Sequence, residues 1–446
     1  MPTTPHLDRR TVLVLPLLAA LSGCAAAGHG APATAAGATS SPSGSASATA
    51  AATEPGVPDV QALVARMSTA LQRGDRQAFL DCLSGDAGSA RAAAASWFDS
   101  VRALPMRVRG LQPVSGIDGW ADPGAGQPWT FAFRHQLTGI DRAPVQEWYG
   151  APVVRYDGRW VFGDWGGVLD GDLGTTTRYV GDYRQLWDDG PTRLLRGRRV
   201  ALLTSAYRDA AACRRALAIV EDGVRRTIQV LGSGGVAVPP EQLLVAVPTL
   251  EHRTLFDYHG GVVSSPQASY AGFTRGLPER DAEQQPRSDR PGVSARIVLE
   301  PGVLDDEDEL RATATHESVH AYLATAWGGE ARLPWADEGI AGFVDTGGDE
   351  ELHLDHLGAA ATALDGPIHH LGQLVFDSGT DDTVAGAYAT AYAACAYAVA
   401  TAGLARTLQL LRADRRGDDN PYPAAGFPDA GAFEAGLRRW VKEELA

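Results

Sequence analysis

The stretch DEDELRATATHESVHAYLATAW, residues 306–327, places the strongest constraint on the fold of this 446-residue chain. Its acidic start is typical of a helix N-terminus, where carboxylates meet unpaired backbone N–H groups and the positive end of the helix dipole. Leu310, Val319 and Leu323 belong to an apolar set that recurs at helical spacing, and Gly328 follows where such a helix would end. The stretch is therefore predicted to form one helix with a buried face.

Two histidines of this helix are spaced as metal ligands. His316 and His320 are four positions apart, so both imidazoles leave the same helical face one turn apart. That is the separation that two ligands of one tetrahedral ion need. Glu317 lies beside the pair, offset so that its carboxylate reaches a water on the metal rather than the metal itself. Together they form the His-Glu-x-x-His pattern of zinc peptidases, which predicts a zinc site.

A second segment, LPWADEGIAGF at residues 333–343, supplies the expected third ligand. Pro334 is typical of a first helical position, and Glu338 falls in the early turns of the helix that it starts. The segment resembles the Trp-x-x-Glu-Gly-x-Ala stretch of the gluzincins, the superfamily that includes thermolysin and the aminopeptidases. The resemblance implies that Glu338 completes the zinc site. Asp337 is the alternative ligand, and we expect its side chain to face solvent.

The resemblance covers residues 199–446 and implies a zincin-like α+β metallopeptidase domain with a helical C-terminal half. The metzincins are excluded, because their pattern needs Gly and His where this chain has Leu323 and Ala326. No methionine follows Met106, so the Gly-x-Met-x-Asn motif of gluzincin aminopeptidases is missing and their exopeptidase specificity is not transferred. Gly342 stands where some gluzincins keep an aspartate that orients a zinc histidine.

A downstream stretch, AYATAYAACAY at residues 387–397, resembles the helix that follows the active site in this superfamily. In those enzymes a tyrosine near the start of the helix stabilises the oxyanion of the reaction, and Tyr388 matches that position. Tyr392, one turn later, is the alternative. The tyrosines of this stretch could also be packing residues on an alanine-rich helix.

The expected function is that of a zinc endopeptidase acting on a peptide or protein substrate. Glu317 would take a proton from the attacking water, and Tyr388 would stabilise the oxyanion. The strand predicted over Arg296–Glu300 would offer its edge to an extended substrate backbone. Two other functions stay open: a peptidase-like domain that binds without cleaving, and a ligand-carrying lipoprotein with a structural zinc.

A block over residues 59–170 precedes the peptidase-like part. Helical periodicity comes first in it and strand-like segments follow. This order resembles the cone-shaped nuclear-transport-factor-2-like fold, in which helices precede a curved antiparallel sheet. The phrases LQRGD (71–75) and YDGRW (156–160), the latter with a hairpin signal, are similar to that family's secreted members. We expect an accessory domain, followed by a connector over residues 171–198.

The N-terminus has the features of a bacterial export signal. A charged leader and an apolar run too short to span a bilayer end in LSGC at residues 21–24. This ending resembles the lipobox of lipoproteins, so we expect residues 1–23 to be removed and Cys24 to carry lipid. Residues 24–58 are rich in Ala, Gly, Ser and Thr and predict a disordered tether. The protein would then sit on the outer face of the cytoplasmic membrane, exported by the Sec or the twin-arginine route.

The composition excludes several other classes of protein. The chain has 39 basic and 54 acidic residues, and its net charge of −15 repels phosphate backbones, which excludes nucleic acid as a partner. With 44% hydrophobic and 21% charged residues, it is neither disordered throughout nor a multi-span membrane protein. Four further histidines are expected to be surface or loop residues: His353, His356, His369 and His370.

Overall fold

The computed structural model describes residues 54–113, 129–165, 185–248, 271–280, 287, 290–329, 331–376 and 380–446. The predicted signal peptide, Cys24 and most of the predicted tether lie outside the described residues. Within the part that the structure describes, no helix combines the length and the apolar character needed to cross a membrane.

The first block begins with helices and continues with antiparallel strands, in the predicted order. Its helices are α1 (Val57–Arg73), α2 (Arg76–Leu80) and α3 (Gly88–Ala103). Its strands are β1 (Met106–Pro113), β2 (Trp129–Leu137), β3 (Val145–Ala151), β4 (Val153–Tyr156) and β5 (Arg159–Phe162). Strands β1 to β3 form one sheet, and β4 and β5 form a hairpin whose turn residues Asp157 and Gly158 have positive φ. The nuclear-transport-factor-2-like cone stays a prediction.

The second block is built on a five-stranded sheet. Its strands are β6 (Thr192–Arg196), β7 (Val200–Ser205), β8 (Leu243–Val247), β9 (Gly272–Leu277) and β10 (Ser294–Leu299). Their spatial order is β6-β7-β8-β10-β9, with β7, β8 and β10 parallel and each edge strand antiparallel to its neighbour. The sequence pattern gave no sign of β6, which falls within the range predicted as a connector.

The prediction that the strand at Arg296–Glu300 forms a sheet edge is wrong. This strand, β10, pairs in parallel with β8 on one side and antiparallel with β9 on the other. Every residue of β10 is buried, which is typical of an interior strand. The edge strand beside β10 is β9.

Helices dominate the C-terminal half, which confirms the predicted α+β class. Helix α4 (Ala210–Ser233) connects β7 to β8. The helices after β10 are α5 (Glu307–Trp327), α6 (Pro334–Thr346), α7 (Glu350–Asp365), α8 (Asp381–Ala402), α9 (Leu404–Arg415) and α10 (Ala430–Glu444).

The two faces of the five-stranded sheet are buried against different parts of the chain. Ala295, Ile297 and Leu299 of β10 belong to a hydrophobic cluster with α4, α5 and the later helices. Val298 of the same strand belongs to a second cluster, which includes Phe133 of the first block. Because successive residues of a strand point to opposite faces, the helices cover one face and the first block covers the other.

Candidate metal centre

The helix predicted around the His-Glu-x-x-His pattern is present as α5. Asp306 caps its start, since the side chain accepts hydrogen bonds from the backbone N–H groups of Asp308 (2.9 Å) and Glu309 (3.0 Å). Gly328 ends it with a φ of 68°, which is in the region that favours glycine. Helix α5 is in contact with α4, α6, β9 and β10, so its position is fixed from several sides.

The three predicted metal ligands converge at one point beside α5. The Nε2 atoms of His316 and His320 are 3.0 Å apart. Glu338 Oε2 lies 3.2 Å from His316 Nε2 and 3.5 Å from His320 Nε2. The residues are 1%, 4% and 6% exposed, in chain order. Within the described part of the chain, these atoms meet the spacing of a metal site.

The donor set of this group fits zinc. Two imidazole nitrogens and one carboxylate oxygen are ligands that zinc takes in tetrahedral sites. No fourth histidine, cysteine or carboxylate joins the group among the described residues. Structural zinc sites usually have four protein ligands, whereas catalytic sites have three and leave one position for water or substrate. The described ligands are three in number, as in catalytic zinc sites.

The remaining ring nitrogens of the two histidines are buried. Among the described residues, neither His316 Nδ1 nor His320 Nδ1 has a hydrogen-bond partner. Zinc-binding histidines commonly donate from this nitrogen to a carboxylate or a carbonyl group, which fixes the ring. Gly342, where the sequence resemblance would place an orienting aspartate, has no side chain, and no described carboxylate makes that bond.

The charges of the three ligands are strongly coupled. Burial lowers the pKa of His316 to about 4, so this imidazole is neutral. Burial also acts to lower the pKa of His320, but the Glu338 carboxylate outweighs it and raises that pKa to about 9. Burial would raise the pKa of Glu338, yet His320 and His316 hold it far below its usual range. A divalent cation bound here would replace the proton of His320.

The start of α6 is anchored, which positions Glu338. Asp414 accepts hydrogen bonds from the backbone N–H groups of Arg332 (2.8 Å) and Leu333 (3.1 Å). Asp337 is buried and receives two hydrogen bonds from the Arg415 guanidinium, one of them 3.2 Å from Nε to Oδ1. The prediction that Asp337 faces solvent is therefore wrong. Arg415 of α9, far along the chain, forms an ion pair with Asp337 inside the protein.

Gly339 lets α6 approach α8 closely. An added Cβ at this position would overlap the carbonyl oxygen of Ala391 and would lie 3.1 Å from Cys395 Cβ. A larger residue would push α6 away from α8 and move the adjacent Glu338. The Glu-Gly pair of the sequence motif thus combines a ligand with the contact that holds the ligand in place.

Glu317 is buried between α5 and the edge strand β9. Its side chain is 2% exposed, and Thr274 Oγ1 of β9 lies 2.7 Å from Glu317 Oε2 and 2.8 Å from the Glu317 carbonyl oxygen. Burial raises the pKa of Glu317 to about 7, although His320 and the Thr274 hydrogen bond act to lower it. Thr274 was not among the predicted site residues, although the alternating pattern Gly272-x-Thr274-x-Gly276 was a signal for it.

The opposite side of α5 is held by α4. Thr227 Oγ1 donates a hydrogen bond to the Thr315 carbonyl oxygen (3.1 Å), and Ser318 Oγ donates to Thr227 Oγ1 (2.6 Å). Gly223 permits this close crossing, because an added Cβ would lie 2.6 Å from Thr315 Oγ1. These contacts fix the turn of α5 that carries the predicted ligands.

The two candidate oxyanion tyrosines have different surroundings. Tyr388 is buried on α8 and packs against Phe376, with ring centroids 4.8 Å apart. The Tyr392 hydroxyl lies 2.7 Å from His353 Nδ1, and its ring centroid lies 4.5 Å from that of His356. Tyr392 is thus held by α7, and the oxyanion role of Tyr388 stays a prediction.

The prediction for the four downstream histidines is right for two of them. His369 and His370 are exposed. His353 and His356 instead lie half-buried on α7 against Tyr392, and burial lowers the pKa of His356 to about 4. Their contact with a helix that follows much later in the chain is not visible in the local sequence.

Comparison with protein-family models and with curated protein sequences finds no match. Among solved structures, this chain is similar to native yeast LTA4 hydrolase at 14% sequence identity. The match covers 57% of this chain and 37% of the hydrolase, with a TM-score of 0.31. Yeast LTA4 hydrolase in complex with bestatin is also similar at 14% sequence identity. That match covers 57% of this chain and 33% of the hydrolase, with a TM-score of 0.29. This chain thus spans about a third of the length of those proteins.

Proposed function

We propose that this protein is a zinc-dependent peptidase with its active site at His316, Glu317, His320 and Glu338. The observation that carries the proposal is the convergence of two imidazole nitrogens and one carboxylate oxygen within 4.8 Å of one another, all buried. Glu317 lies next to this group on the same helix, where its carboxyl interacts with the charges of His320 and Glu338.

The chemistry divides between a bound ion and the side chains around it. The two histidines and Glu338 would hold a zinc ion, which would supply a Lewis acid and lower the pKa of water at the site toward ~7. Glu317 accepts a proton from the attacking water and later delivers it to the leaving amine. Tyr388 donates a hydrogen bond to the carbonyl oxygen of the substrate as negative charge develops there.

The position of β9 supports an extended peptide as substrate. This strand lies at the end of the sheet order and carries Thr274 next to Glu317. A peptide that pairs with the side of β9 on which no described strand lies would bring its backbone past the proposed base. Recognition by main-chain hydrogen bonds does not require a free terminus, and on this ground we propose an endopeptidase.

Two substitutions test the proposal. Glu317→Gln removes the base while it keeps the size of the side chain, so we expect bound zinc to remain and hydrolysis of unstructured casein to stop. Glu338→Ala removes a ligand, so we expect zinc to be lost as well. Elemental analysis and a chelator-sensitive casein assay measure both quantities. Glu307→Gln, at an exposed position of the same helix, is the control and should keep zinc and activity.

Two outcomes contradict the proposal. Cleavage by Glu317→Gln at the wild-type rate would exclude Glu317 as the base, and unchanged zinc in Glu338→Ala would exclude this site. A wild-type protein that binds zinc stoichiometrically but cleaves no peptide would instead be a binding domain with a peptidase-like site.

We also propose that the protein is exported and tethered to the outer face of the cytoplasmic membrane through lipid on Cys24. The proposal rests on the N-terminal sequence, whose LSGC ending follows a short apolar run. Cys24→Ser should move the protein from the membrane fraction to the soluble fraction. Equal membrane association of both forms would contradict it.

A further inference from the structure

We propose that Thr274 is a positioning residue that holds the Glu317 carboxylate in its working orientation. This inference rests on the proposed function, because it assigns a role within the same peptide-hydrolysing site. Two observations support it: the close packing of β9 on α5, and the two contacts of the Thr274 hydroxyl with Glu317.

The face of β9 that packs on α5 is made of two glycines with Thr274 between them. An added Cβ at Gly272 would lie 3.0 Å from Thr313 Cγ2, and one at Gly276 would lie 3.1 Å from Ala324 Cβ. Alternate residues of a strand share a face, so Gly272, Thr274 and Gly276 all point toward the helix. The glycines allow the strand to lie directly on α5, and this close approach brings the threonine hydroxyl to Glu317.

The Thr274 hydroxyl bridges two parts of the same residue. Oγ1 lies 2.7 Å from the Glu317 carboxylate oxygen Oε2 and 2.8 Å from the Glu317 main-chain oxygen. Thr274 and Glu317 are 5% and 2% exposed, so bulk solvent competes little for their hydrogen bond. A glutamate side chain has three rotatable bonds, and a bridge from the carboxylate to its own backbone restricts all of them.

A hydroxyl suits this position because it both donates and accepts. It has one proton to donate and two lone pairs that accept hydrogen bonds. It can donate to the Glu317 carboxylate, or accept from the protonated carboxyl while it donates to the main-chain oxygen. The hydroxyl can therefore keep a hydrogen bond to Glu317 through either of the two oxygens that it contacts, and it neither gains nor loses a proton itself.

The first test compares Thr274→Val with Thr274→Ser. Valine keeps the branched shape without the hydroxyl, and serine keeps the hydroxyl without the methyl group. We expect Thr274→Val to lower kcat by about 10- to 100-fold, as outer contacts of metal sites commonly do, with zinc content and KM close to wild type. Serine should restore most of kcat. Thr313→Val, on α5 at the same interface, is the matched control and should keep the wild-type kcat.

Two results would overturn the inference. One is a zinc-loaded Thr274→Val enzyme with wild-type kcat. The other is a folded, zinc-loaded Thr274→Ser enzyme as slow as the valine variant, because the methyl packing and not the hydroxyl would then matter.

A second measurement separates failure of this inference from failure of the proposed function. Thermal unfolding of metal-free protein reports the contact without any assay of hydrolysis. If the hydroxyl binds the carboxylate, Thr274→Val should lower Tm more in the wild-type background than in Glu317→Ala, where the carboxylate is already gone. Equal shifts in both backgrounds would overturn the contact itself. A wild-type protein that cleaves nothing but shows the unequal shifts would refute only the proposed function.

Discussion

Two buried groups of histidine and carboxylate lie on opposite faces of the five-stranded sheet. One is the metal group of His316, His320 and Glu338 on the helical face. The other, here called the interblock cluster, consists of His135, Asp141 and Glu147 of the first block with Arg296 of β10. In both, a histidine nitrogen lies within ion-pair distance of a buried carboxylate, yet only one of the two groups includes an arginine.

The interblock cluster contains its own cation. Arg296 Nη1 lies 2.8 Å from Asp141 Oδ1, and Ser294 Oγ donates to the same oxygen at 2.6 Å. His135 Nε2 lies 3.1 Å from Glu147 Oε1. In the metal group, by contrast, no arginine or lysine of the described residues lies within ion-pair distance of Glu338. Among the described residues, the metal group thus offers convergent ligand atoms without an arginine or lysine, whereas the interblock cluster pairs Arg296 with a carboxylate of the first block.

Replacing one histidine of each group with alanine tests this difference most strongly. His316→Ala should lose stoichiometric zinc and reduce hydrolysis to background while the fold is kept, since one ligand is gone. His135→Ala should keep zinc and instead lower the free energy of unfolding by about 2–5 kcal/mol, because a fully buried ring is removed and a cavity is left. Elemental analysis and urea unfolding measure the two effects. His369→Ala, at an exposed position, should change neither. Zinc loss in His135→Ala with His316→Ala unaffected would reverse the assignment.

The role of Arg296 as the internal cation predicts the next effect. Arg296→Met should lower the free energy of unfolding by about 3–5 kcal/mol, because Asp141 loses its partner inside the protein. The double variant Arg296→Met with Asp141→Asn should recover part of the loss, since no charge is then left unpaired. Both are measured by urea unfolding with zinc content as a second readout. A single variant as stable as wild type would mean that the pair does not join the blocks.

The close contact of α6 with α8 predicts a smaller effect at the metal group. Gly339→Ala should cost about 1–3 kcal/mol through overpacking and should weaken zinc binding, because the helix that carries Glu338 has to shift. Gly358→Ala on α7 is the matched control, as an added Cβ there meets nothing within 4 Å; it should stabilise the fold by about 0.4–1 kcal/mol. Competition with a zinc chelator and urea unfolding measure both quantities. Equal behaviour of the two variants would show that the α6–α8 contact does not position Glu338.

The smallest expected effect is a change in the free energy of unfolding at acid pH. Burial would raise the pKa of Asp141, but Arg296 and His135 outweigh it and lower that pKa. A depressed carboxylate pKa contributes stability that is present above its unfolded value of about 3.9 and is lost as the pH falls through the folded value. Asp141→Asn should therefore be less stable than wild type at neutral pH, and the difference should shrink in acid. A difference that is independent of pH would contradict the ion pair.

Much of the metal group could be predicted because its signals are local. The spacing of His316 and His320, the cap at Asp306 and the proline at 334 each depend on a few neighbouring residues, and helices follow such patterns closely. Glu338 could be predicted as a ligand because this needs only that α6 pack against α5. The order of strands could not be read in this way, because it depends on pairing between distant segments, and so β9 rather than β10 is the edge.

The missed residues share one physical cause. Asp337 is buried because Arg415 reaches it, and Thr274 matters because β9 lies on α5. His353 contacts Tyr392 of a later helix. Each depends on a partner far along the chain, and a hydrophilic residue is otherwise expected at the surface.

The first block covers one face of the sheet, which has a practical consequence for producing the second block alone. A fragment beginning at the expected boundary near residue 199 would lose β6 and would present Leu203, Leu244 and Val298 to water. It would also lack Arg142, whose guanidinium donates to the Thr325 carbonyl oxygen near the end of α5 (2.5 Å). Such a truncated product should aggregate during expression. Screening for substrates or inhibitors therefore calls for a chain that keeps both blocks.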